Sequence, residues 1–310
     1  MAVSTPGSTP GITPEARPLA AIGWMVATGL LFVLVTALVK LVGDGLPAAQ
    51  SAFLRFLFGL VFVLPALRAM LAVQYTRRLV GLIAARGALH SFGVICWFFG
   101  MTQLPLIEVT AMHYLTPIYV AIGAALFLGD RMRTRRIAAI AVALVGAMVI
   151  LRPGFREIMP GHLAMLGASL GMAASYLLAK YLTESLGPGA IVALLSFTVT
   201  LGLAPFAIAV WVPPTGEQVL LLFLVAAAAT AGHYTMTLAL GAAPVSVSQP
   251  VTFLQLVWAS ILGLAVFGEP LDGFVLAGGA MIMGSVVFLS LREAQLRRRA
   301  VTPPSVATKL

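Results

Sequence analysis

Leu126-Phe127-Leu128-Gly129-Asp130-Arg131 closes one long apolar run, and 139 positions later Ala265-Val266-Phe267-Gly268-Glu269-Pro270 closes another. Each is a stretch of lipid-compatible side chains ended by a glycine and a carboxylate, so the two mark the same place in two copies of one unit. Other pairs fall into line at nearly the same offset. Leu104-Pro105 meets Ala243-Pro244, Lys40 meets Lys180, and Leu151-Arg152 meets Leu291-Arg292. Identity between the halves is sparse, so it is the shared order of all four landmarks that establishes the repeat.

Between the landmarks lie ten apolar stretches: 18–41, 48–70, 79–101, 106–128, 136–151, 161–182, 189–211, 218–240, 245–267 and 272–291. A helix needs about 20 apolar residues to cross a bilayer. The chain has 310 residues, of which 60% are hydrophobic and 9% charged, with a mean hydropathy of +1.03. Too few polar side chains remain to coat a water-facing globule, which excludes soluble enzymes and disordered chains. The sequence therefore predicts an all-α integral membrane protein of ten transmembrane helices. Its expected organisation is a disordered cytoplasmic tail over 1–17, a first five-helix repeat over 18–152, a second over 160–292 and a basic cytoplasmic tail over 293–310. Five spans per half is an odd number, so the second copy enters the membrane upside down. Inverted repeats of this kind build alternating-access transporters, with the binding site at the repeat interface near the midplane.

The net charge of +9 is a matter of topology. Lys and Arg near span ends gather on the cytoplasmic side. With the N-terminus inside, the inner connections and tails hold thirteen of them: Arg17, Arg68, Arg77, Arg78, Arg131, Arg133, Arg135, Arg136, Arg292, Arg297, Arg298, Arg299 and Lys309. The outer connections hold three, Lys40, Arg152 and Arg156. Both termini are thus expected in the cytoplasm. The basic runs face anionic lipid, and no nucleic-acid partner is implied. The first 17 residues lack the basic start of a signal peptide, and Arg outnumbering Lys by 16 to 3 suits a bacterial inner membrane protein.

Two five-span halves, each with a proline-bearing connection and a span closing in Gly129-Asp130 or Gly268-Glu269, resemble the EamA-type branch of the drug/metabolite transporter superfamily. The resemblance covers residues 18–292. It implies ten helices around a central cavity and export of small metabolites, and the overall pattern is closest to bacterial exporters of aromatic amino acids. Multidrug and lipid-carrier transporters belong to the same superfamily and are the rival readings. An intramembrane enzyme would want HExxH, an aspartyl pair or Gly-x-Ser-x-Gly, and none occurs. A channel would want filter loops or rings of like charge. No metal or cofactor is expected, since the four histidines are dispersed.

Polar groups within spans are the candidates for the site. On the third span His90, Val94, Trp97 and Met101 share one helical face, with Arg86 a turn before His90. The fourth carries His113-Tyr114 and Pro117, and the eighth His233-Tyr234. The ninth carries Pro250, Thr252, Gln255 and Trp258. The third and eighth spans, like the fourth and ninth, are equivalent in the two halves. His90, Trp97, His113, Tyr114, His233, Tyr234, Thr252, Gln255 and Trp258 are therefore expected to line a substrate cavity, with Pro117 and Pro250 as helix breaks. The rings suit an amino-acid-like cargo with an apolar side chain, and the imidazoles or an inward-facing Arg86 suit its carboxylate. Arg55 and Arg86 lie about seven residues into their spans, where snorkelling and an inward orientation balance. Lys40 and Lys180, at helix ends, are assigned to the lipid interface, and Glu108 to the interface rather than the interior. The carboxylates of Asp130 and Glu269 read as structural, and Cys96 as a small apolar side chain. Gly278, Gly279 and Gly284 form either an internal packing face or a homodimer contact. No carboxylate lies at the midplane, so either histidines carry protons or the cargo runs down its own gradient; the latter is preferred.

Overall fold

The computed structural model describes residues 18–127, 133–155, 157–182, 185–242 and 249–301, which form helices joined by short connections. The helices are α1 (Pro18–Val42), α2 (Ala48–Val63), α3 (Leu67–Leu71), α4 (Arg77–Gln103), α5 (Leu106–His113) and α6 (Leu115–Phe127). They continue as α7 (Thr134–Leu151), α8 (Pro160–Leu182), α9 (Pro188–Ala209), α10 (Gly216–Ala242), α11 (Phe253–Phe267) and α12 (Gly273–Val301). Among the described residues nine helical stretches are long and apolar enough to cross a membrane, α5 and α6 together making one of them. A tenth, Leu254–Phe267, is apolar but shorter, and a 3-10 turn over Gln249–Thr252 precedes it. The protein is a multi-pass, all-α membrane protein of ten spans.

Two boundaries differ from the sequence reading. α12 runs to Val301, so Arg297–Arg299 sit on a helix rather than in an irregular tail, because nothing between Leu291 and Val301 breaks a helix. The expected N-terminal tail, the Gly129-Asp130 motif, Arg131, Arg156 and Ala243-Pro244 lie outside the described residues, as does 302–310.

The main helix packings all cross from one half to the other: α1 with α10, α4 with α8, α7 with α12 and α2 with α9. Counted as spans these are 1 with 8, 3 with 6, 5 with 10 and 2 with 7. Moving each member by five spans maps the first pair onto the second and returns each of the others to itself. That is the signature of a two-fold axis in the membrane plane, as inverted repeats require.

Glycines explain why these pairs pack. Lipid tails remove the hydrophobic drive between helices, so close backbone approach through small residues has to supply the contact. On α4, a Cβ added at Gly93 would lie 3.1 Å from the Ala168 carbonyl oxygen and from the Met172 nitrogen. On α8, one at Gly171 would lie 2.9 Å from the Leu89 carbonyl oxygen. The symmetry-related pair repeats the device more loosely: Gly232 of α10 faces the Phe32 ring at 3.1 Å, beside a Thr28–Thr235 hydroxyl contact of 2.9 Å. Gly146 of α7 and Gly278 of α12 sit on each other's carbonyls, and Gly279 packs on Leu256 and Ala111. Gly278 and Gly279 are thus spent on internal packing, whereas a Cβ on Gly284 would meet nothing within 4 Å. Large apolar side chains such as Val61, Phe127, Leu201 and Ile208 cover the outside, where lipid replaces water as solvent.

Candidate transport site and its closed end

Pro117 has no N–H to offer the His113 carbonyl one turn back. The fourth span is accordingly interrupted at Tyr114, between α5 and α6. In the ninth span the 3-10 turn carrying Pro250 gives way to α11 at Phe253, which is Tyr114 plus 139. The two breaks occupy equivalent positions and touch. The Tyr114 hydroxyl lies 3.0 Å from the Thr252 carbonyl oxygen and 2.8 Å from Gln255 Oε1, donating towards both. Trp258, one turn past Gln255, keeps a buried indole nitrogen without a hydrogen-bond partner, as does His113 at Nδ1.

A second group gathers around His90. It is 8% exposed, its Nδ1 is buried and unpartnered, and Phe56 of α2 stands edge-on to it at 6.1 Å. Tyr176 of α8 lies 6.3 Å away on ring centroids. The Arg55 guanidinium sits over the Phe56 ring at 4.0 Å. Arg86 is buried and donates to the Ile191 carbonyl of α9 at 3.1 Å. Arg86 faces the interior. Snorkelling is ruled out for Arg86, which the Ile191 carbonyl of another helix holds; Arg55 is half-buried and lies against the ring of its own neighbour. His233 packs its ring edge-on against Phe32 at 5.1 Å, though the residue is exposed on α10.

The expected cavity residues are thus brought together only in part. Tyr234 is 65% exposed: adjacent helical residues point about 100° apart, so His233 and Tyr234 cannot share a face. Trp97 packs against the main core, edge-on to Phe98 at 5.3 Å. Phe56, Tyr176 and Phe32 are additions that isolated aromatics in apolar runs do not announce. Removing the Tyr114 hydroxyl is the direct probe of the paired breaks. Tyr114→Phe is expected to lower thermal stability by about 1 kcal/mol and to depress transport about tenfold, read as initial rates in proteoliposomes beside a melting curve.

At the end of the bundle where α1, α4, α7 and α11 finish, four clasps join the halves. Gly268, at φ +64°, closes α11 in the left-handed region that favours glycine. The chain turns back there, and the Glu269 N–H donates to the Gly263 carbonyl at 2.9 Å. This aims the Glu269 carboxylate at Lys40 of α1, with which it forms an ion pair, and at the Leu106 N–H, 2.9 Å away. Lys40 also donates to the Leu104 carbonyl at 3.2 Å. One Lys–Glu pair therefore holds both sides of Pro105, and three landmarks of the repeat (Lys40, Leu104-Pro105 and Gly268-Glu269) meet in a single knot. The assignment of Lys40 to the lipid interface is corrected by this contact: an acidic partner in the connection after α11 draws it inward.

The second clasp joins Glu108 of α5 to His162 of α8 at 2.8 Å, with Glu108 only 4% exposed. His162 Nδ1 accepts the Met159 N–H at 3.0 Å, so its proton resides on Nε2 and points at the carboxylate. Glu108 begins its span as expected but is buried within protein rather than set among headgroups. The third pairs Arg152 with Asp272, whose other oxygen caps α12 by accepting the Phe274 N–H at 2.8 Å. The fourth is Gln50 of α2, fully buried, which exchanges two hydrogen bonds of 2.6 and 2.8 Å with the backbone of Val212. At the opposite end a cavity of about 550 Å³ opens between the α3–α4 connection and the start of α9, beside Val73, Thr76, Leu186 and Gly189. The clasps close one end of the bundle; at the other, Leu79, Ile83, Leu182, Leu186, Ile191 and Leu194 pack together beneath that cavity, and none of the candidate site residues lines it.

The sequence profile of the EamA-like transporter family matches this chain twice, over residues 19–152 and 159–291. The chain belongs to that family and is a membrane transporter. It is 32% identical over 284 residues to a riboflavin transporter of Rhizobium johnstonii, covering 89% of this chain and 92% of that one. An S-adenosylmethionine uptake transporter of Rickettsia felis is 24% identical over 289 residues, covering 91% of this chain and 96% of its own. A crystal structure of another protein shares the fold with a TM-score of 0.59 at 18% identity, over 87% of this chain and 97% of that one.

Proposed function

We propose that this transporter carries small metabolites with a planar aromatic ring across the bacterial inner membrane, both termini lying in the cytoplasm. Riboflavin is the first candidate cargo and aromatic amino acids the second. The observation that carries the reading is the contact between the two helix breaks, Tyr114 against Thr252 and Gln255, with Trp258 one turn beyond Gln255. A break in a membrane helix frees backbone carbonyls, which are tolerated only where they line a cavity or are buried in protein. Rings offer a planar cargo stacking and edge contacts. The riboflavin transporter among the relatives favours a fused heteroaromatic ring over the smaller side chains of amino acids. The cycle rocks the two halves about their shared axis, opening the clasped end as the other closes. With no carboxylate at the midplane, cargo runs down its own gradient.

The test is uptake of radiolabelled riboflavin, tryptophan and phenylalanine into proteoliposomes of purified protein, with and without a pH gradient. Saturable riboflavin uptake that Tyr114→Phe depresses and the pH gradient leaves unchanged is the expected result. Uptake of tryptophan but not riboflavin selects the second cargo. Transport of none of the three sinks the aromatic reading and leaves the family and fold untouched.

A further inference from the structure

Two arginines lie inside the membrane-spanning helices, and neither Arg55 nor Arg86 meets a carboxylate among the described residues. The sequence explains why: all ten Asp and Glu fall in tails, connections or span ends. A guanidinium held in a bilayer without an anion is costly, yet Arg86 is anchored on another helix and Arg55 lies over the Phe56 ring. Arg86 is 6% exposed and uses one nitrogen on Ile191, while its Nε is buried with no acceptor. His90, one turn further along α4, turns the unpartnered Nδ1 into the same region. Phe56 links Arg55 to His90 through successive ring contacts, and Tyr176 flanks His90 from α8. Donors without acceptors, walled by rings, make a site whose missing component is an acceptor that arrives and leaves.

We propose that this cluster between α2, α4 and α8 is an oxyanion subsite of the cargo site: a carboxylate or phosphate on the transported molecule docks on Arg55 and Arg86, His90 donates a further hydrogen bond, and the ring lies against Phe56 and Tyr176. The assignment rests on the transport function proposed above and adds to it what an acidic cargo gains: the aromatic amino acids named there carry the carboxylate this site would hold, whereas riboflavin, with neither carboxylate nor phosphate, would engage the rings alone. Charge-assisted hydrogen bonds are the strong ones, and in low-dielectric surroundings they separate an acid from its neutral analogue.

Thermal stabilisation of the purified full-length chain in detergent tests this with three probes: benzoate, phenyl phosphate and neutral benzyl alcohol. Either acid, but not the alcohol, is expected to raise the melting temperature saturably. Arg55→Gln is expected to weaken the bound acid about tenfold or more, and Arg55→Lys to retain most of the affinity. Arg55→Gln leaves the Arg86–Ile191 bond intact, which keeps the fold out of the comparison; Arg86→Gln serves as a second variant. Tighter phenyl phosphate assigns a phosphate-bearing cargo, and tighter benzoate a carboxylate. Benzyl alcohol binding as well as the acids, no saturable binding of either acid, or acid affinity unmoved in Arg55→Gln overturns the subsite. Liposome transport keeps the two proposals apart. If flavin and amino-acid uptake both fail while acid discrimination persists, the cargo falls and the subsite stands. Uptake without any dependence on Arg55 removes the subsite alone.

Discussion

Gly146→Ala is expected to yield little folded protein, melting well below the parent in detergent. The added Cβ would sit 2.7 Å from the Gly278 carbonyl oxygen and 3.0 Å from both Ile282 Cγ1 and Met281 Cβ. Its first neighbour is backbone, which cannot rotate away, so α7 and α12 must part by roughly an ångström along their shared line. Overpacking of this kind costs about 1–3 kcal/mol, occasionally more. Gly278→Ala should behave alike, since its Cβ would press on the Gly146 carbonyl and reach 2.7 Å from Ile150 Cγ1. Gly284→Ala on the same helix is the internal control: nothing lies within 4 Å, and replacing a mid-helix glycine gains about 0.5–1 kcal/mol. Equal melting of all three variants would refute the close α7–α12 crossing.

Glu269→Ala is expected to open the clasped end. It removes the ion pair to Lys40 and the acceptor of the Leu106 N–H together. Lys40 is left at the end of α1 beside the Phe267 ring, 5.4 Å from its centroid. Breaking a partly buried pair from one side costs about 3 kcal/mol when buried fully, and less at this exposure. A loss of about 1.4 kcal/mol already changes the balance of closed and open states about tenfold. Leu104, 2% exposed beneath the clasp, reports the change: in a Cys96→Ala background, Leu104→Cys should react with an impermeant maleimide about tenfold faster once Glu269 is alanine. Glu269→Gln keeps an acceptor for Leu106 but loses the charge, and should fall between. Unaltered labelling in Glu269→Ala would mean that the pair is decoration and not a gate.

The spans were legible because hydropathy is a local property: about 20 residues of chain decide whether a segment can enter lipid. The repeat was legible because its landmarks recur in order. What those landmarks do was not legible. Lys40 and Glu269 are 229 positions apart, and Glu108 and His162 are 54 apart; no periodicity within one helix reports a partner on another. Lys40 was therefore given to lipid and Glu108 to the headgroups, each a sound placement for a side chain considered alone. The helix breaks at Pro117 and Pro250 followed from the missing N–H, but their mutual contact required the symmetry in three dimensions. His233-Tyr234 was taken as a unit although about 100° of helix rotation separates their directions.

The exchange of partners between halves also governs how the chain is made. Each long helix of the first half finds its main neighbour in the second: Thr28 bonds to Thr235, 207 positions later, and Tyr114 to Gln255, 141 later. While the ribosome is still synthesising α9, α1 already lies in the membrane without α10, and its Thr28 and Phe32 lack the Thr235 and Gly232 they pack against in the finished protein. The first five spans on their own are an unfinished surface, and a nascent chain halted after Arg152 is a substrate for quality control rather than a small transporter. Co-synthesis of two severed halves, cut in the connection before Pro160, should by the same logic restore what neither fragment achieves alone.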